Sequence, residues 1–269
     1  MSIEIIYSIL SVIVVSLVSL VGIFFLSLSR RVLDKVIFVL VSLSVGVLFG
    51  DVFVHILPEL FHEAGVYASA IPVAVFVGTL TFFVLEKFFR WHHAHSISED
   101  VDCVDCEVDA SLSEHHSDDK SHIGNMVMFG DGLHNLIDGI VITASFMTSV
   151  PLGIATTIAV LFHEIPQEIS DFGVLLHAGY SRMRALVLNF TSALVALLGV
   201  LIVVFFKDVD GFLILANAFT AGGFLYIAGS DLVPELHRTT HVGKSVIQFG
   251  AIVLGFVIMM LLTLLEAHA

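Results

Sequence analysis

Two short stretches hold most of the chemistry this sequence could perform. One is His163-Glu164-Ile165-Pro166-Gln167-Glu168-Ile169-Ser170-Asp171, and the other is Gly130-Asp131-Gly132-Leu133-His134-Asn135-Leu136-Ile137-Asp138-Gly139. Each sets imidazoles, carboxylates and amides inside a run that is otherwise apolar. At 3.6 residues per turn, Asp131, His134 or Asn135, and Asp138 form one stripe of a helix. His163, Gln167 and Asp171, with Glu164 and Glu168 beside them, form a broad polar face on another. Imidazole and carboxylate donors without thiols suit Zn²⁺, Fe²⁺ or Mn²⁺ rather than Cu⁺. Carboxylates also offset the charge of a divalent ion. A proton relay through the same acids is the main competing chemistry. A metalloprotease would need His-Glu-x-x-His, whereas the sequence has His163-Glu164-Ile165-Pro166-Gln167, so a hydrolase is disfavoured.

The surroundings make these groups costly. Of the 269 residues, 57 % are hydrophobic and 13 % charged, with a mean hydropathy of +1.01. That balance describes a polytopic membrane protein rather than a soluble domain. A carboxylate at mid-bilayer costs roughly 2.5–3.5 kcal/mol on insertion scales, so several in one span need partners, water or a cation. Apolar runs of membrane-spanning length predict eight helices: Ile3 to Leu28, Leu33 to Leu60, Ala68 to Phe89, Ile123 to Met147, Leu152 to His177, Met183 to Phe206, Phe212 to Val233 and Val246 to Leu265. Helices are expected because lipid offers the backbone no hydrogen-bond partners. Glu4, with no basic residue before the first apolar core, argues against a cleaved signal peptide. Pro166 should leave the carbonyl of Phe162 without its helical donor, next to His163.

Basic residues give the orientation. Arg30, Arg31, Lys35, Lys87, Arg90, Lys120, Arg182, Arg184, Arg238 and Lys244 fall on one side of these spans, and Lys207 alone on the other. The positive-inside rule then puts both termini on the non-cytoplasmic side of a cell membrane. The net charge of −14 arises largely between Glu99 and Asp119, and an acidic surface disfavours nucleic acid as a partner.

The expected fold class is an all-α integral membrane protein with eight transmembrane helices in a 3+2+3 arrangement. Helices one to three occupy residues 1–90, four and five 122–180 and six to eight 181–269. His55-Ile56-Leu57-Pro58-Glu59-Leu60 and Asp231-Leu232-Val233-Pro234-Glu235-Leu236 share a pattern five spans apart. An odd separation reverses direction through the membrane, which is the trace of an inverted repeat, typical of alternating-access transporters. Asp51, His55, Glu59, Asp231 and Glu235 would be either secondary ion sites or interhelical hydrogen-bonding groups. Residues 91–121 hold His92, His93, His95, His115, His116, Cys103 and Cys106 amid acids, a composition expected to be disordered. This cytoplasmic loop is either a solvated linker or a metal-collecting segment; a structural disulfide is not expected there.

On these residues the chain resembles the ZIP (Zrt-/Irt-like protein) family of divalent-metal transporters, its LIV-1 branch in particular. That branch carries His-Asn-Phe-x-Asp-Gly, matched by His134 to Gly139, and His-Glu-x-Pro-His-Glu-x-Gly-Asp-Phe, matched by His163 to Phe172. Leu175 to Gly179, Leu188 to Ala193, Phe224 to Tyr226 and Asp231 to Pro234 extend the likeness. The resemblance implies a bundle in which helices one, four, five and six carry the metal and slide against two, three, seven and eight. It implies a homodimer in the lipid bilayer and zinc uptake into the cytoplasm, with Fe²⁺, Mn²⁺ and Cd²⁺ as further cargo candidates. It implies no enzyme activity and no cofactor beyond the transported ion. His134, Asn135, Asp138, His163 and Glu164 match family ligands. Gln167 and Glu168 would assist, and Asp171 and His177 would lie on the inner exit path. Gln167 stands where LIV-1 proteins have His and others a bridging Glu; a neutral amide bridges two cations poorly, and one-metal and two-metal sites both stay open. Ser170 replaces Gly, Leu136 replaces Phe, and the large amino-terminal domain of many eukaryotic LIV-1 proteins is not in the sequence. A proton-coupled exporter and a binding-only metal sensor are the other functional classes consistent with such a site.

Overall fold

In the computed structural model, residues 2–21, 29–98, 115–238 and 241–266 are described, with side chains except at Arg30, 88–98, 115–127, His177, Asp231 and 264–266. Among them all regular structure is helical and there is no strand. In chain order the helical rods are α1 (Ile3–Val21), α2 (Arg31–Glu63), α3 (Ile71–Ser98), α4 (His115–Thr148), α5 (Val150–His177), α6 (Arg182–Phe206), α7 (Phe212–His237) and α8 (Val242–Glu266). Among the described residues five of these, α1, α2, α6, α7 and α8, are long and apolar enough to cross a membrane. Their outward sides carry exposed Leu10, Leu201 and Phe249, while Asp51, Asp138, Glu164 and Glu168 are buried. The polarity is the reverse of a soluble protein's.

Two helices run beyond the expected spans. The backbone of α3 stays helical to Ser98 and that of α4 begins at His115, so both reach into the His-rich segment. Residues 99–114, with Cys103 and Cys106, lie outside the described residues.

Local chemistry sets the turns around α5. Ser149 is the one residue between α4 and α5; it is extended (φ −155°, ψ 150°) and its hydroxyl accepts from the Leu152 N–H at 3.3 Å. Pro151, with no N–H to lose, stands in the first turn. At the other end Tyr180 N–H bonds the Leu175 carbonyl and Gly179 N–H that of Leu176, both at 3.1 Å. This closure requires a left-handed residue, which Gly179 supplies at φ +89°. Ser181 then caps α6 by accepting from Arg184 N–H at 3.3 Å. Such short links make α4, α5 and α6 antiparallel neighbours.

The rods pack most closely at glycines. A Cβ on Gly46 would strike the Ile252 carbonyl of α8, and one on Gly255 the Leu43 carbonyl of α2. The same reciprocal geometry joins α3 to α7, where Gly78 faces Phe219 and Gly222 faces Val75. A third crossing pairs Gly139 of α4 with Ala196, and Gly199 of α6 with Leu136. Small residues let backbones touch, the usual source of helix association in lipid. Thus α2 rests on α8 and α3 on α7, while α4 gathers α1, α5 and α6. The chief contact between the two sets is α2 against α5.

The shared Pro-Glu-Leu pattern has a backbone counterpart. A six-residue π-helical turn occupies Asp51–Ile56 in α2 and another Ile227–Leu232 in α7, each followed after one residue by the proline, Pro58 or Pro234. Removal of the proline N–H and widening of the preceding turn go together, since neither leaves a regular i to i+4 ladder.

Candidate metal centre

Asp138 follows His134 by four residues on α4, and His163 and Glu164 are adjacent on α5. The antiparallel packing of the two helices brings one donor atom from each within 4.8 Å of all the others. His134 Nε2 lies 3.3 Å from His163 Nε2, 3.3 Å from Glu164 Oε1 and 3.8 Å from Asp138 Oδ2. His163 Nε2 lies 3.4 Å from Asp138 Oδ2 and 3.7 Å from Glu164 Oε1. A tetrahedral zinc shell with bonds of about 2.0–2.2 Å has donor–donor edges of roughly 3.3–3.6 Å. The cis edges of an octahedral shell at the same bond length are about 2.9 Å, shorter than these five; with the sixth edge, Asp138 to Glu164, within 4.8 Å, the donors suit a tetrahedral ion better.

The polar atoms of the centre need such a partner. Asp138, His163 and Glu164 are at most 2 % exposed, and both Asp138 oxygens and Glu164 Oε1 are buried without a hydrogen bond. Two carboxylates facing each other in a dry interior are costly until a positive charge joins them. The ring of His163 is set to ligate such an ion, because its Nδ1 lies 3.1 Å from the Ala159 carbonyl, which leaves the Nε2 lone pair to face the centre.

The other expected residues divide by position. Asn135 is buried, and its amide donates to the Asp131 carbonyl at 3.0 Å and to Asp131 Oδ1 at 2.8 Å. Asp131 Oδ2 in turn accepts from the Ser192 hydroxyl of α6. Glu168, one turn beyond Glu164, leaves the centre for α6, where its carboxylate accepts from the Asn189 amide. Gln167 and Asp171 line a cavity, and the His177 side chain lies outside the described residues. Of the repeat acids, Asp51 and His55 are buried together, 3.6 Å apart, with His55 Nε2 3.1 Å from Thr263 of α8. Glu235 pairs at the surface with Arg238 at 2.9 Å.

That cavity has a volume of about 770 Å³ and runs from His134 and His163, past Gln167 and Asp171, to Leu33 and Arg238. It therefore joins the centre to the end of the bundle where α2 begins and α7 finishes. On the opposite side the route is closed. Ile142, Phe146, Ala155, Ala159 and Phe224 are buried in one continuous apolar cluster. From Asp138 to Thr148, where a small pocket with Glu59 and Asn217 begins, the helix runs about 15 Å. Asn217 of α7 spans that region, donating to Thr148 at 2.8 Å and accepting from Ser145 at 3.3 Å, both on α4.

Sequence reading gives no role to several residues that contact the site. Ser44 of α2 donates to the Phe162 carbonyl, left open by Pro166, at 2.5 Å. Phe82 of α3 stands 5.8 Å, centroid to centroid, from the ring of His134, and Phe224 of α7 the same distance from that of His163. A serine or phenylalanine in an apolar helix carries no signal of its own, so only the fold reveals them.

Comparison with known proteins bears on what the centre is for. A family model described as ZIP zinc transporter matches residues 2–263. The chain is 36 % identical over 187 residues to the human zinc transporter ZIP10, covering 66 % of this chain and 22 % of that protein. It is 31 % identical over a 324-residue alignment to the metal cation symporter ZIP14 of Xenopus tropicalis, covering 96 % of this chain and 69 % of that one. With the mouse zinc transporter ZIP13 it shares 30 % identity over 250 residues, 84 % of this chain and 69 % of the relative.

Proposed function

We propose that this chain, which belongs to the ZIP zinc transporter family, carries zinc into the cytoplasm through the four-donor centre between α4 and α5. The family is one of transporters, and the relatives' names give zinc or metal cations as their cargo. The observation that carries the proposal is the close approach of His134, Asp138, His163 and Glu164, with five donor–donor distances of 3.3 to 3.8 Å and all within 4.8 Å. Two neutral imidazoles and two carboxylates bind Zn²⁺ with no net charge left over. The ion can then cross an apolar interior without the cost of a bare charge. Asn135, Gln167 and Glu168 support this shell, and Asp171 and His177 stand on the way out.

The cavity supports an inward-facing state in this reading. It reaches the centre from the end that carries Arg238 and the start of α2, the cytoplasmic end by the positive-inside rule. The conformation is thus open inward and closed outward. Transport then requires α1, α4, α5 and α6 to move as a carrier against α2, α3, α7 and α8. The paired π turns and the matching glycine crossings of α2 with α8 and α7 with α3 support an inverted repeat as the source of the two openings. In this reading all eight rods span the cell membrane, both termini are non-cytoplasmic, residues 91–121 are a cytoplasmic loop, and two copies form a homodimer.

Uptake of radioactive zinc by proteoliposomes holding the full chain tests this. The wild type should accumulate zinc, and the His163→Ala/Glu164→Ala double variant, eluting as a folded species, should not. Unchanged uptake by that variant would remove the centre from the transport path. Zinc efflux driven by an imposed proton gradient would favour an exporter, and stoichiometric binding without flux a sensor.

A further inference from the structure

Building on the metal-centre reading above, we propose that Phe82 of α3 is a positioning residue for the ligand His134. Phe224 of α7 has a lesser, parallel role toward His163. A metal-binding imidazole usually fixes its ring by giving the second nitrogen to a hydrogen-bond acceptor. His163 does so through the Ala159 carbonyl on its own helix. His134 does not: among the described residues its polar contacts all involve Nε2, the atom that faces the centre. Its side chain is also 16 % exposed toward the cavity, so a rotamer change into water is open to it.

A ring supplies what the hydrogen bond does not. Phe82 meets His134 edge to face, at 5.8 Å and 89°, and His134 meets His163 at 5.5 Å and 74°. Phe224 closes the row against His163 at 5.8 Å and 66°. Phe82 itself cannot yield. It is 6 % exposed, a Cβ on Gly223 would collide with its ring, and Phe219 backs it at 6.5 Å. The Gly78–Gly222 crossing, one turn from Phe82 on α3, sets the distance between the two helices that carry the phenylalanines. His134 is therefore held between a fixed aromatic ring and the second histidine, with Nε2 kept on its corner of the tetrahedron.

The test uses the purified full chain in detergent with Co²⁺ and Zn²⁺ as probes. Four-coordinate Co²⁺ absorbs visible light far more strongly than six-coordinate Co²⁺, so the spectrum reports shell geometry, which general packing does not alter. Phe82→Leu should weaken zinc binding about two- to tenfold, the range an aromatic contact supplies beyond its area. It should also reduce the intense cobalt bands at unchanged stoichiometry. Phe82→Tyr, which keeps the ring, should restore both, Phe224→Leu should have the smaller effect, and Phe205→Leu, on the exposed face of α6, should leave the spectrum intact. If Phe82→Leu does not elute as a folded species, Phe82→Met takes its place. An unaltered cobalt spectrum and zinc affinity in a folded Phe82 variant would overturn the proposal. Unchanged zinc binding by His163→Ala/Glu164→Ala would overturn the centre itself, a separate result.

Discussion

In the proposed alternating-access cycle, replacing Ser44 by alanine should shift the balance between inward-open and outward-open forms, and the size of the shift follows from one carbonyl. Pro166 has no N–H for Phe162, and the Ser44 hydroxyl supplies the missing donor at 2.5 Å from a different helix set. Losing the donor leaves a part-buried carbonyl unsatisfied, at about 1–2 kcal/mol after some hydration from the cavity. The cost falls on the inward-open form, in which α2 and α5 make this bond. If outward-open is the minor form, its population should rise roughly 5- to 30-fold. Ala155 of α5 is fully buried on the side proposed to face outward, so Ala155→Cys in a Cys103→Ser/Cys106→Ser background becomes a probe of outward opening. Labelling from outside by an impermeant maleimide should accelerate by that factor when Ser44→Ala is added. Pro166→Ala restores a helical donor to Phe162, and in that background Ser44→Ala should change the labelling rate by less than about twofold. An equal acceleration in both backgrounds would refute the reasoning, since the effect could not then depend on the orphaned carbonyl.

Other outcomes follow from the same geometry. Both imidazoles must be unprotonated to bind a cation, so zinc affinity measured by calorimetry should fall as the pH is lowered; a flat profile would contradict the ligand set. Gly78→Ala and Gly222→Ala should each cost about 1–3 kcal/mol, seen as a lower unfolding temperature, and the double variant less than their sum because both wedge open one crossing. Asn189→Leu should destabilise the protein by leaving the Glu168 carboxylate buried alone, and adding Glu168→Leu should recover part of the loss; no recovery would mean that the pair is not the source. A zinc-soaked crystal should show one strong anomalous peak between α4 and α5, and two at full occupancy would mean that Gln167 does not exclude a second ion.

How far the sequence can be read depends on distance along the chain. The i, i+4 step from His134 to Asp138 and the pairing of His163 with Glu164 are legible because helical periodicity alone sets which side chains share a face. The same periodicity gives no reason to separate Glu164 from Glu168, one turn apart. That separation is made by α6, whose Asn189 draws Glu168 away. Glycine shows the limit equally well. Of two glycines in the same motif, Gly139 lies hard against Ala196, whereas the nearest atom to a Cβ on Gly132 is 3.9 Å away. The Pro-Glu-Leu repeat is visible in letters, but the π turn before each proline is a property of backbone hydrogen bonding that no residue type announces. Ser44, Phe82 and Phe224 matter only through what stands opposite them, and a single sequence does not name a helix's neighbours.

The one-residue link at Ser149 has a mechanical consequence. A hairpin joined by a single extended residue has no slack, so α4 cannot slide along α5 by even a fraction of a turn without breaking the cap at Leu152. The four donors of the proposed centre are split evenly between those helices, and metal bonds tolerate errors of only about 0.2 Å. Shear between α4 and α5 would destroy the shell long before it moved the ion any useful distance. The hairpin therefore behaves as a stiff tong: whatever displaces the cargo must displace both arms together, and the give in the machine has to be sought where the tong meets its frame.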